Sequence, residues 1–140
     1  MNTYNFNDEN FKNTDIYKNF ITSNPRVGYL KIRAYGASQA LPISNLKIVV
    51  SKNIGNNNII FFEGNTNSSG VIERITLPAP IQNNDDLTVP SSTTYDITAT
   101  YQGEPTNNIY RVNMYENIYV IQTISIVPDL GVNAGDNIWL

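Results

Sequence analysis

From Val27 onward the chain alternates. In "YLKIRAY" (29–35), Leu30, Ile32 and Ala34 fall on one side and Tyr29, Lys31, Arg33 and Tyr35 on the other. "LKIVVS" (46–51) repeats the pattern, with Leu46, Ile48 and Val50 set against Lys47 and Ser51. A period of two is that of a half-buried strand, because successive side chains of extended backbone point to opposite faces. Five further runs follow: "IIFFEG" (59–64), "VIERITL" (71–77), "YDITATY" (95–101), "IYRVNMY" (109–115) and "IYVIQTISIV" (118–127). They are rich in β-branched and aromatic residues and punctuated by Gly, Asn and Pro, as in "GASQALPIS" (36–44) and "GNNN" (55–58). Seven short strands so spaced predict an all-β sandwich or barrel.

The first part of the chain has a different period. Phe11, Ile16, Tyr17, Phe20 and Ile21 recur near helical spacing, and Asn7 or Asp8 can cap the start. "SNP" (23–25) ends it, since a residue before proline disfavours the helical region. One short N-terminal helix is predicted.

The most informative stretch is "TNSSGVIERITLPAP" (66–80), a polar cluster running into an apolar strand. Asn, Ser and Gly tolerate left-handed backbone and bond to nearby main chain. A calcium loop needs several carboxylates at alternating positions, and only Glu63 stands near. The cluster therefore reads as a hairpin turn, with Gly70 supplying positive φ before the next strand.

Composition narrows the chemistry more than the fold. With 41% hydrophobic and 15% charged residues in 140, the chain is a globular domain with a core of its own. It has no cysteine and no histidine. That removes disulfides, thiolate nucleophiles, the Ser-His dyad and the usual transition-metal ligands, so no cofactor or metal is expected. The net charge is -3 and no run of Lys or Arg occurs, which argues against nucleic acid despite nine tyrosines. The N-terminus lacks the basic and apolar segments of a signal peptide, and no apolar run approaches a membrane span. The expected product is a protein synthesised in the cytoplasm, whatever compartment or particle it later joins.

Four stretches in order carry a resemblance: "GYLKIRAYGASQALPISNLKIVVS", "TNSSGVIERITLPAP", "YDITATYQG" and "YENIYVIQTISIVP". Together they resemble the carboxypeptidase regulatory-like, or transthyretin-like, β-sandwich, in the short form that precedes spore cortex-lytic enzymes of Firmicutes. The matching positions are Pro42, Ile43 and Asn45; Thr66, Ser69 and Gly70; Leu77 to Pro80; and Ile121, Gln122 and Pro128. The resemblance implies a seven-stranded Greek-key sandwich over 26–128, with a helical extension (1–25) before it and a tail (129–140) after it. It also implies that the first and last strands are neighbours. The family's Gly-Tyr corner is absent, Gly103 being followed by Glu104, and the histidines used by hydrolases of this fold are missing. Only twelve residues follow Pro128, so no lytic activity is expected.

What remains is a non-enzymatic structural or protein-interaction module of a larger spore, cell-envelope or phage-like assembly. The alternative is a carbohydrate-binding module for peptidoglycan or another glycan. The candidate interaction surface is the outer face of the first strand, Tyr29, Lys31, Arg33 and Tyr35, beside Tyr119 and Ile121 of the last, together with Trp139 of the tail. Against it stands ordinary cross-strand pairing partly covered by the N-terminal helix. Glu63 and Glu73 are the only central strand carboxylates available as a glycosidase pair; Glu73 beside Arg74 in an alternating strand reads instead as a solvated face. Asp85 and Asp86 sit in a polar insertion that reads as surface loop rather than cation site. Gln122, polar on an apolar face, should bond backbone at a bulge or loop. A Lys31 or Lys47 crosslink to Asn117 lacks its strand signatures. Pro128 should close the last strand, and the tail gathers Ile138, Trp139 and Leu140. That end either docks in an apolar groove, on its own sandwich or on a neighbour, or frays.

Overall fold

The computed structural model describes residues 2–36, 41–82, 91–106 and 109–126. Among them the chain is predominantly β, arranged as two facing sheets. One sheet contains β1 (Thr3–Asn5), β5 (Asn57–Asn65), β4 (Lys47–Ile54) and β7 (Thr93–Tyr101), in that order. Beyond β7 lie β8 (Glu104–Pro105) and β9 (Tyr110–Met114). In the other sheet β2 (Arg26–Gly36) is central, between β10 (Tyr119–Ile126) on one side and β6 (Val71–Ala79) with β3 (Leu41–Pro42) on the other. Each of the seven alternating runs corresponds to one strand: β2, β4, β5, β6, β7, β9 or β10. The count nevertheless exceeds seven, because β1, β3 and β8 are only two or three residues long and leave no periodic signal.

The alternation places the core. Leu30, Ile32 and Ala34 of β2 face Ile48 and Val50 of β4 and Ile97 and Ala99 of β7, all buried. Pairing is antiparallel except for β1 with β5 and β2 with β10, the latter in register from Tyr29↔Tyr119 to Gly36↔Ile126. Two bulges adjust the pattern. In β5 an extra residue between the pairs Val50↔Phe62 and Ser51↔Ile60 lets Phe61 into the core with Phe62 packed against it. In β6 two residues, Glu73 and Arg74, oppose Lys31 alone.

The N-terminal segment makes two helices rather than one, α1 (Glu9–Lys12) and α2 (Asp15–Ser23). Asp8 caps the first. Thr14 divides them: its Oγ1 accepts from Tyr17 N at 3.2 Å and donates to Phe11 O at 2.7 Å. The buried faces do not lie over β2, as expected from sequence. They enter the first sheet's end of the core, where Phe6 stacks on Phe61 at 4.5 Å and Phe20 meets Phe61 at 5.5 Å. Phe61 in turn lies edge-on to Tyr95 at 4.9 Å. Asn24 closes α2 and accepts from Thr93 Oγ1, tying the helix to β7.

The turn at 66–70 is real, but it is no hairpin: β5 and β6 belong to different sheets, so it is a corner between them. Thr66 organises it. Its hydroxyl accepts from Leu46 N at 3.0 Å and donates to Ile43 O at 2.6 Å, while its N–H donates to Leu46 O. Asn67 Oδ1 accepts from Ser69 N and Val71 N, closing a turn around Gly70 at φ 75°. A Cβ on Gly70 would lie 2.6 Å from Ala34 O, so β2 leaves no room for one. Local turn chemistry was legible, but whether a turn returns to its own sheet depends on distant partners.

Two predictions follow from these buried bonds. Thr66→Val should cost about 1–3 kcal/mol in urea denaturation, because it strands a buried N–H and a carbonyl, whereas Thr66→Ser should cost clearly less. Tyr95 is fully buried and donates to Pro78 O at 2.5 Å across the two sheets; burial holds its pKa far above the usual tyrosine range. The folded state then keeps a proton that the unfolded chain releases near pH 10, so this stabilisation fades as pH rises past that point. Wild type should exceed Tyr95→Phe by about 1–3 kcal/mol at neutral pH. The gap should narrow by about 1.4 kcal/mol per pH unit above 10.

Candidate interaction surface

The period-two pattern of β2 leaves Tyr29, Lys31, Arg33 and Tyr35 on the side of the sheet away from the core, all half-buried. The parallel register of β10 sets Tyr119 beside Tyr29 and Ile121 beside Lys31. Six of the seven sequence candidates therefore share one face. Trp139 lies outside the described residues, as do the Asp85/Asp86 insertion, Pro128 and the rest of the tail.

Neighbouring strands tie this face together. The Tyr29 and Tyr119 rings stack with centroids 4.9 Å apart, and the Arg74 guanidinium lies 5.1 and 5.3 Å from them. Lys31 pairs with Glu73 at 3.5 Å. Arg33 donates through Nε and Nη2 to the Tyr35 hydroxyl at 3.1 and 2.8 Å, its carbon 5.3 Å from that ring's centroid. Three cations thus stand against one carboxylate on a chain of net charge -3. Outermost are Tyr119 and Ile121, exposed by 51% and 55%.

Arg74 was missed from sequence because strict alternation sends Glu73 and Arg74 to opposite faces. The signal was present in "VIERITL": Ile72, Ile75 and Leu77 cannot all face inward without one extra residue between the first two. The bulge supplies it and turns both charged side chains outward.

Other candidates do not converge. Glu63 pairs with Lys47 at 3.6 Å on the first sheet, and Glu73 with Lys31 on the second, so the carboxylates flank no common site. Asn117 is exposed in a turn at φ 59°. Gln122 does bond backbone, donating to Thr123 O at 3.0 Å, although within a regular strand rather than at a bulge. Among the described residues no group of three His, Cys, Asp or Glu is placed to hold a metal ion. No helix among them is long and apolar enough to cross a membrane. Comparison with protein-family models and with curated proteins gives no match.

If Arg74 holds the two rings as the geometry indicates, Arg74→Ala should cost about 1 kcal/mol in urea denaturation, two modest cation–π contacts. Glu73→Ala should cost less, its pair with Lys31 being exposed.

Proposed function

We propose that this chain is a non-enzymatic interaction module of transthyretin-like β-sandwich type. Its working surface is the outer face of β10, β2 and β6, where it meets a protein partner in a spore, cell-envelope or phage-like assembly. One observation carries the reading: Tyr29, Tyr119 and Arg74 are held as a stacked group beside exposed Ile121, and the N-terminal helices pack elsewhere. Tyr and Arg so pre-ordered lose little side-chain freedom on binding, and both are enriched where interfaces concentrate their energy. The excess of cations favours an acidic partner surface.

The transthyretin-like assignment is supported by the order β5-β4-β7-β9 in one sheet and β6-β2-β10 in the other, and by the parallel pairing of the first and last long strands. The non-enzymatic reading is supported by the separation of Glu63 from Glu73 and by the lack of histidine and cysteine. The type of assembly rests on the sequence resemblance. The glycan-binding alternative draws on the same tyrosines, but their faces are already engaged by each other and by Arg74, which leaves less ring surface for a sugar.

Immobilised protein should be offered purified peptidoglycan, soluble glycans and the products of genes neighbouring its own. A protein ligand should bind, and Tyr119→Ala with Arg74→Ala should weaken it at least tenfold while the fold persists by circular dichroism. Binding to peptidoglycan alone would favour the glycan reading. Hydrolysis of ester, ureide or peptidoglycan that Glu63→Gln or Glu73→Gln abolishes would overturn the non-enzymatic one.

A further inference from the structure

The outer faces of the two sheets are charged in different ways. On the first, Lys47 pairs with Glu63 and Arg111 with Asp96. On the second, Lys31 has Glu73, whereas Arg33 and Arg74 meet no carboxylate among the described residues. Tyrosines set both guanidiniums instead, Arg74 against the Tyr29 and Tyr119 rings and Arg33 on the Tyr35 hydroxyl. A ring or a hydroxyl places a guanidinium without neutralising it, and most of its five donors stay available. Register gives the spacing. Arg74 lies at the level of Tyr29, and Arg33 stands four residues farther along β2, about 13 Å away at the rise of a strand. Between them Lys31 is already neutralised by Glu73 and sits beside exposed Ile121.

We propose that this face recognises an extended acidic segment of a partner protein, with two carboxylates four residues apart and an apolar residue midway. The inference rests on the interaction-module reading and names the partner's chemistry. In an extended chain residues i, i+2 and i+4 share one side, and i to i+4 spans about 13 Å, the separation of the two arginines. Each carboxylate then accepts a guanidinium fork in two parallel hydrogen bonds. The residue midway falls over Ile121 and the aliphatic stem of Lys31. Because tyrosines already hold the guanidiniums, little side-chain freedom is lost on binding. Glu73 selects against the wrong ligand. A third negative charge midway would face its exposed carboxylate. Nucleic acid and sulfated glycans carry charge at every step and meet that repulsion; a segment charged only at these two positions does not.

The full chain should be titrated at low salt with fluorescein-labelled peptides of Ser and Thr background, read by polarisation. A peptide with two Glu four positions apart around a central Val should bind about tenfold more tightly than its isomer with the two Glu adjacent. Replacing that Val by a third Glu should weaken binding about fivefold, and Glu73→Gln should remove the penalty. Arg74→Glu should lose the two-Glu peptide and bind instead the version in which one Glu is Lys. That exchange is a gain of binding, which an unfolded variant could not show. Equal affinity for the spacing isomers, tighter binding of the three-Glu peptide to the unmodified chain, or binding of none of them would overturn the proposal. So would capture of a protein partner that depends on Tyr119 and Arg74 but is indifferent to Arg33→Gln, a result that leaves the interaction-module reading standing.

Discussion

The arrangement depends on a close approach at Gly28. A Cβ there would stand 2.4 Å from Tyr115 O, so only glycine lets the turn after β9 press against the start of β2. The contact is fastened on both sides: Asn117 N donates to Val27 O at 2.8 Å, and Tyr29 N to Ile118 O at 3.0 Å. β10 then runs beside β2 in the same direction. Parallel neighbours cannot be joined by a tight turn. The rest of the chain therefore has to travel through the opposite sheet before β10 can take its place. The facing sheets, the three crossings between β2 and β7, and the seat of Tyr119 beside Tyr29 all follow from that pairing.

Crossing between sheets leaves corners, and the corners concentrate the buried polar chemistry. Thr66 satisfies two main-chain groups with one hydroxyl, and Tyr95 reaches from the first sheet to Pro78 on the second. Each bond is local in chemistry and non-local in consequence, because it fixes how one sheet lies on the other. The N-terminal segment does the same with rings instead of hydrogen bonds. Phe6, Phe11 and Phe20 join Phe61 and Tyr95, so residues far apart in sequence share one aromatic cluster.

This explains what the sequence disclosed and what it withheld. Alternation in "YLKIRAY" and "LKIVVS" reports burial on one face, a local property of each strand, and every such run is a strand. Positive φ at Gly70 is likewise local. The fate of the 66–70 turn is not: nothing within it says that β5 pairs with β4 while β6 pairs with β2. The helix face was also readable, Phe11 and Phe20 being buried, yet its destination required knowing that a bulge admits Phe61 beneath it. The interaction surface was legible where alternation held, on β2 and β10. It was lost on β6, at the bulge where Arg74 stands.

That break has a second effect. One extra residue in β6 distorts a strand edge and so discourages further pairing there. The same residue aims Arg74 at the Tyr29–Tyr119 stack and leaves Glu73 opposite Lys31. A regular β6 would have buried one of these charges among Ile72, Ile75 and Leu77, at a desolvation cost that no partner in that apolar layer could offset. The bulge is thus required by the core, and the ordered cationic face is its outward consequence. β10 meets the same requirement differently, with Gln122 as its one polar inward residue and no charge at all. The two sides of β2 therefore differ in kind: one neighbour carries charge and a bulge, and the other is a regular, uncharged strand.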